Sequence, residues 1–258
     1  MATAGSGGTG ADVRILPDSA TLAAGAAHEA ARVLQDAVSR SGVAHAMFAT
    51  GNSQLAFIAA LVDPSAGVPW GDVVVFHMDE YVGLGPEHPA SFQRWIAERI
   101  TAPAHPRAAH YLDGRADPEQ ECARYAGLLA LRTPDLCCLG IGENGHLAFN
   151  DPGVADFDDA LDVKVIELDP DCRAQQVGEG HFASDAEVPD LAMTVTVPAL
   201  LRAARVLAVV PEARKAGAVR DALTGPVGAA CPASILQRTS HATVFLDPDA
   251  ASLLPGVG

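Results

Sequence analysis

Short apolar runs alternate along the chain with longer stretches in which apolar and polar positions recur at helical spacing. The runs at 44–50, 73–76, 136–141, 163–168, 206–210 and 242–246 are rich in β-branched and other large apolar side chains and predict strands. Between them the pattern predicts helices over 54–62 and 91–100, and one that starts after Asp18 as its cap and runs to about 40. Another begins at Asp117-Pro118-Glu119-Gln120. There Asp caps, Pro suits the first turn and Gln completes a capping-box-like pattern, and the helix is expected to run to about 132. Two more are predicted near 198–204 and 213–223. Strands alternating with helices predict an α/β fold: one doubly wound, mostly parallel sheet with helices on both faces. In such sheets a ligand sits beyond the carboxyl ends of the strands, so the loops that follow the strands are where chemistry is expected.

Composition adds limits to this picture. With 258 residues, 49% of them hydrophobic, the chain is long enough for one sizeable core, and 13–258 is expected to be a single domain. The small, Gly-rich stretch 1–12 is expected to be a disordered lead-in. It lacks the basic start and long apolar centre of a secretory signal, which points to the cytoplasm. No apolar run reaches the roughly 18 residues of a membrane span. A net charge of −15 argues against a nucleic-acid partner and requires that any anionic ligand meet a local pocket of positive potential. Lys164 and Lys215 are the only lysines. The five cysteines are odd in number and show no CxxC spacing, so reduced thiols are expected rather than a disulfide framework or a metal site.

Three loops carry polar residues of interest. Phe48-Ala49-Thr50-Gly51-Asn52-Ser53 joins a strand to a helix. Its small residues allow a phosphate to approach the backbone, the helix start offers free N–H groups, and Thr50 and Ser53 add hydroxyls. An ordinary turn with a capping Ser reads equally well from this segment alone. Next, Phe76-His77-Met78-Asp79-Glu80-Tyr81-Val82-Gly83-Leu84 places two adjacent carboxylates at the end of a buried strand. A partly desolvated carboxylate can remove a carbon-bound proton, although a helix cap would use the same residues. In the third loop, Gly140-Ile141-Gly142-Glu143-Asn144-Gly145-His146 leads to Asn150-Asp151-Pro152. This is a Gly-rich strand exit followed by a histidine with acids on either side, which suits a proton shuttle.

The combination of Met78-Asp79-Glu80-Tyr81-Val82-Gly83-Leu84 with Gly145-His146-Leu147-Ala148-Phe149-Asn150-Asp151-Pro152 resembles the glucosamine-6-phosphate deaminases. These are grouped with the 6-phosphogluconolactonases and share a fold with sugar-phosphate isomerases. Segments 191–195, 211–215 and 232–237 fit as well, so the resemblance spans about 13–249. It implies an enzyme of amino-sugar (N-acetylglucosamine) catabolism that converts glucosamine 6-phosphate to fructose 6-phosphate and ammonia, without a metal or other cofactor. By the same resemblance Asp79 is the base that moves a proton between C2 and C1, His146 assists ring opening, and Asp151 orients His146. Thr50, Gly51, Asn52 and Ser53 form the phosphate loop, and Lys215 binds the phosphate. Asn144 is grouped with these catalytic residues, and Glu80, Glu143, Gly145, Arg173 and His181 are further candidates for substrate contact.

Three positions depart from the family pattern. Asn52 stands in a phosphate loop that is usually smaller. Asn144 stands where some relatives carry Asp. His181, rather than an arginine, precedes Phe182. The alternatives are a 6-phosphogluconolactonase, a deaminase or isomerase of another hexosamine phosphate, and a non-catalytic sugar-phosphate sensor. The partner expected in each case is a small sugar phosphate, and oligomeric state stays open, self-association included.

Overall fold

The computed structural model describes residues 2–3, 10–178, 180 and 182–256. The chain begins with β1 (Ala2–Thr3), β2 (Asp12–Ile15), α1 (Ser19–Ser41), β3 (Ala44–Phe48), α2 (Leu55–Val62), β4 (Val73–His77) and β5 (Asp79–Tyr81). It continues through α3 (Phe92–Ile96), α4 (Ala102–Ala104), β6 (Ala108–His110), α5 (Pro118–Leu131) and β7 (Leu136–Leu139). The remaining elements are β8 (Val163–Glu167), α6 (Pro170–Gly178), β9 (Leu191–Val195), α7 (Val197–Leu201), β10 (Arg205–Val210), α8 (Ala216–Thr224) and β11 (Ala242–Leu246).

The main sheet runs β1-β2-β11-β10-β7-β3-β4-β6. Every pairing from β2 to β6 is parallel, and only β1 pairs antiparallel, against β2. Of the expected lead-in 1–12, Ala2–Thr3 and Asp12 thus belong to strands, while residues 1 and 4–9 lie outside the described residues.

Strand alternation sorts the apolar side chains onto the two faces of the sheet. Ala46, Phe48, Val75, Cys138, Val209 and Phe245 pack with Leu34 of α1 and Phe57, Ile58 and Leu61 of α2. Met47, Phe76, Cys137, Leu139, Ala208 and Val244 pack with Tyr125 of α5, Leu200 of α7 and Val219 of α8. Both faces are covered, as the near-continuous apolar strands require. Asp18 caps α1, accepting the Thr21 N–H at 2.7 Å, and Gly42 ends it at φ +74°, a conformation that glycine adopts without steric cost. Asp117 caps α5 through the Gln120 N–H, as its sequence predicts.

One expectation is corrected and another is borne out. The run at 163–168 forms β8, which lies outside the parallel sheet in a separate three-stranded antiparallel sheet, β5-β9-β8. The helix expected over 91–100 forms, running without a break from Phe92 to Ala104 as α3, a stretch of wider turns at Ala97–Thr101, and α4.

His77, at the end of β4, is fully enclosed. Its Nε2 accepts the Leu112 N–H at 2.8 Å, and burial lowers its pKa from 6.5 to about 3. The unfolded chain therefore binds a proton below pH 6.5 that the folded chain refuses until about pH 3, so this residue's share of stability falls as pH drops through that window. From pH 7 to pH 5 wild type is expected to lose about 2 kcal/mol more than His77→Gln, measured by denaturant unfolding at both pH values. Equal losses in the two proteins would overturn the assignment.

Candidate active site

From β3 the chain moves outward through β4 and β6, then returns to place β7 on the other side of β3 and continues through β10 and β11. The direction of winding thus reverses between β3 and β7. At such a switch point the two following loops part and leave a crevice at the carboxyl ends of the strands. A cleft of about 580 Å³, part of it open to solvent, lies there. The loop after β3 lines it with Thr50, Gly51, Asn52 and Ser53, and the loop after β7 with Ile141, Gly142 and His146. Asp79, Met78, Phe92, Phe149 and Lys215 complete most of its wall.

The loop after β3 turns at Gly51, with φ +102°, into a tight helical turn at Asn52–Gln54 that runs into α2. Gln54 is buried and ties the loop to the end of β10, donating to Val209 O at 3.0 Å and to Ser53 Oγ at 3.1 Å. Backbone N–H groups at this helix start face an anion favourably. Lys215 approaches from β10. Glu212 adopts φ +83°, and its N–H is clamped by the Asp247 carboxylate at 3.0–3.2 Å. The turn Ala213–Lys215 that follows brings Lys215, 3% exposed, to the cleft wall. Among the described lining residues it alone carries a permanent positive charge.

Asp79 and Glu80 separate sharply. In β5, which pairs with β9 through Asp79↔Thr194, neighbouring side chains point to opposite faces. Asp79 lines the cleft, 6% exposed, with Oδ1 buried and without a hydrogen-bond partner among the described residues. Burial, and then the charge of Glu80, raise its pKa well above the usual carboxylate value. Glu80 points away and is not part of the cleft wall. Its carboxylate accepts the N–H groups of Tyr81 (2.9 Å), Phe92 (3.2 Å) and Gln93 (2.8 Å) and the Ser91 hydroxyl (2.8 Å). It anchors the start of α3 rather than contacting a ligand. Burial nevertheless outweighs these donors and raises its pKa.

His146 also lines the cleft, and its Nδ1 lies 2.9 Å from Asp151 Oδ1 without the alignment of a straight hydrogen bond. Asp151 is fully buried. Burial alone would raise its pKa, but the contacts with His146, Asn144 and Cys172 outweigh it and keep the carboxyl below its ordinary value. Asn144 braces the pair: its Nδ2 donates to Asp151 Oδ1 at 2.9 Å and its Oδ1 accepts the His146 N–H at 3.0 Å. The loop tolerates nothing larger than glycine at 142, where a Cβ would sit 2.2–2.4 Å from the His146 ring. His146, Asp151 and Cys172 each bring one donor atom within 4.8 Å of the others. Burial raises the Cys172 pKa.

Other candidates fall away from the cleft. Gly145 turns the loop at φ +87° against Cys231. Glu143 is exposed and pairs with Arg214 at 3.3 Å. Arg173 is held by Asp185 (3.1 Å) and Asp190 (2.8 Å) and lines a different groove, because the nearest acids neutralise it first. His181 lies outside the described residues. Gln175 and Gln176 of α6 line the cleft and were not expected there. Gln176 Oε1 accepts the Tyr81 hydroxyl at 2.7 Å, a contact across 95 residues that leaves no local trace in the sequence.

Fold and cleft together define an α/β enzyme scaffold whose one cleft is lined by a buried carboxylate, a histidine beside a second buried carboxylate, an anion-suited loop and a lysine. The family model for glucosamine-6-phosphate isomerases and 6-phosphogluconolactonases matches residues 17–245, and the chain belongs to that family. Among curated relatives, a glucosamine-6-phosphate deaminase of Exiguobacterium sibiricum is 38% identical over 70% of this chain and 71% of its own length. One of Listeria innocua is 32% identical over 88% of this chain and 94% of its own. Among solved structures, a monomeric glucosamine-6-phosphate deaminase superposes with a TM-score of 0.85 at 29% identity, covering 93% of this chain and 99% of that one. The resemblance carried by the two motifs therefore extends across the fold. No helix among the described residues is long and apolar enough to cross a membrane.

Proposed function

We propose that the protein is a glucosamine-6-phosphate deaminase, releasing ammonia from glucosamine 6-phosphate and leaving fructose 6-phosphate. The observation that carries this reading is the one cleft shared by Asp79, whose buried Oδ1 has no hydrogen-bond partner among the described residues, and His146, whose Nδ1 lies 2.9 Å from Asp151. His146 takes the proton of the anomeric hydroxyl and protonates the ring oxygen, which opens the sugar. Asp79 then removes the proton on C2, and an enolamine forms. The same carboxyl returns a proton at C1, and the C2 imine adds water and expels ammonia. The net reaction joins an aldose–ketose proton transfer to hydrolytic loss of the amine.

Thr50–Ser53 and Lys215 hold the phosphate, remote from the reacting carbons, so their binding energy positions the sugar. The site's own groups supply the base, the shuttle and the anion contacts, and the reaction is placed in the cytoplasm, where a phosphorylated sugar is retained.

Purified protein given glucosamine 6-phosphate is expected to release ammonia and fructose 6-phosphate in equal amounts. Absence of ammonia from folded protein that hydrolyses 6-phosphogluconolactone would replace this reading with a lactonase. Lys215→Met is expected to raise KM by about 10–100-fold and to change kcat far less, because a charge-assisted phosphate contact contributes about 1.5–3 kcal/mol and is made before and during the reaction alike. An unchanged KM would remove Lys215 from the phosphate site.

A further inference from the structure

We propose that Gln176 is a specificity-determining residue of the cleft: its Nε2 donates to the C3–C4 hydroxyl edge of the bound sugar, and Tyr81 is the positioning residue that aims it. The proposal rests on the deaminase reading for the identity of the sugar phosphate, and on the structure for the donor and its aim.

A glutamine amide has an acceptor end and a donor end, and a bond to one fixes where the other points. Tyr81 is fully buried in β5, its ring centroid 5.0 Å from that of Phe92, 5.2 Å from Phe149 and 5.3 Å from Phe182. A ring packed on three sides cannot swing its hydroxyl away, and that hydroxyl donates to Gln176 Oε1 at 2.7 Å. Gln176 is 5% exposed and lines the cleft. Its Nε2 makes no hydrogen bond among the described residues, yet it is not sealed from solvent as Asp79 Oδ1 is. A donor this deep in a cleft wall, with the other end of its amide tied, is placed for a ligand acceptor.

The course of α6 says which part of the ligand it meets. Cys172, one turn before Gln176 on the same helix face, has its Sγ within 4.8 Å of donor atoms of His146 and Asp151. Just beyond the helix, Gly180 lines a groove together with Asn52 of the loop after β3. Gln176 therefore stands between the histidine proposed for ring opening and the loop proposed for the phosphate. Between the reacting C1 and C2 and the phosphate-bearing C6, the sugar offers hydroxyls at C3 and C4. Neither changes in the reaction, so the contact is made alike before and during it and acts on binding. A site that hydrogen-bonds a sugar hydroxyl rejects ligands that lack it.

Gln176→Met, Tyr81→Phe and the double variant are compared with wild type in the dissociation constants of inorganic phosphate and of glucitol 6-phosphate, an open-chain analogue that cannot react. Gln176→Met, of similar length and without an amide, is expected to weaken glucitol 6-phosphate about 3–10-fold and to leave phosphate unchanged. Tyr81→Phe keeps the ring and frees the amide. It is expected to cost about 2–5-fold, and nothing further once Gln176 is Met, because Tyr81 acts through that amide. 3,4-Dideoxyglucitol 6-phosphate is expected to bind wild type and Gln176→Met alike. With glucosamine 6-phosphate, KM is expected to rise by similar factors while kcat stays nearly unchanged. Unchanged glucitol 6-phosphate binding in Gln176→Met, an equal loss of phosphate binding, or a loss that persists with the dideoxy analogue would overturn the sugar contact. Additive losses in the double variant would overturn the role of Tyr81. Wild type that binds glucitol 6-phosphate but releases no ammonia would sink the deaminase reading alone, and the binding comparison would still decide Gln176.

Discussion

Asp79→Asn is expected to remove nearly all turnover and at the same time to raise the melting temperature. Loss of a general base costs about 10²–10⁴-fold in kcat, since an amide of the same shape cannot accept the C2 proton. The gain in stability has a separate cause. Above its raised pKa, Asp79 holds a buried charge whose Oδ1 has no partner among the described residues, next to the charge of Glu80. Removing such a charge at an active site commonly returns about 0.5–2 kcal/mol. For a chain of this size each kcal/mol is about 2–4 °C in Tm.

The pH dependence of that gain follows from linkage. Between 3.8 and the raised folded pKa, the folded chain keeps a proton that the unfolded chain releases, so wild type loses stability as pH rises through this window. The variant lacks that slope. Thermal unfolding at pH 8 and pH 5 should therefore show the variant ahead at pH 8 and the gap closing at pH 5. A variant less stable than wild type at pH 8 would contradict the unpaired charge. The same raised pKa displaces the acid limb of kcat upward from the ordinary carboxylate range, since turnover needs Asp79 ionised.

His146→Gln carries the second large effect, about 10²–10⁴-fold in kcat with little change in KM. Glutamine can occupy the space and donate a hydrogen bond, but it cannot carry a proton from the anomeric hydroxyl to the ring oxygen. Asp151 and Asn144 hold the loop independently of the imidazole, through the 2.9 Å bond between them, so the fold is expected to survive the change. Added imidazole should restore part of the rate in His146→Ala, where the ring's place is open, and none in His146→Gln, where it is filled. A His146→Gln protein within tenfold of wild type would assign ring opening to another group.

The alternation of β3, β4, β7, β10 and β11 with helices was legible because strands buried on both faces must be apolar throughout, which isolates them from their surroundings. The caps at Asp18 and Asp117 were legible because capping acts over three residues. The small sheet was not. β5 spans only Asp79–Tyr81, and its partner β9 lies far along the chain, so neither signals the other locally. α6 escaped notice for a similar reason. Its polar side chains, Gln175 and Gln176 among them, look like those of a solvated loop until the cleft they face is known.

By itself, then, the order of residues determined the fold class and the three strand exits that carry the site. It also supplied the chemical types gathered there: a carboxylate pair, a histidine with a nearby acid, and a lysine after β10. Only the tertiary structure decided which of those groups face one another. Asp79 and Glu80 are neighbours with the same charge, and only the family resemblance told them apart in the sequence. The pairing of β5 with β9 turns one into the cleft, its Oδ1 without a hydrogen-bond partner among the described residues, and the other under α3, where four donors saturate it. Arg173, a further candidate from the sequence, is taken by Asp185 and Asp190 instead. Burial and pairing are properties of the packed chain, and they decide whether a charged side chain is reactive or merely satisfied.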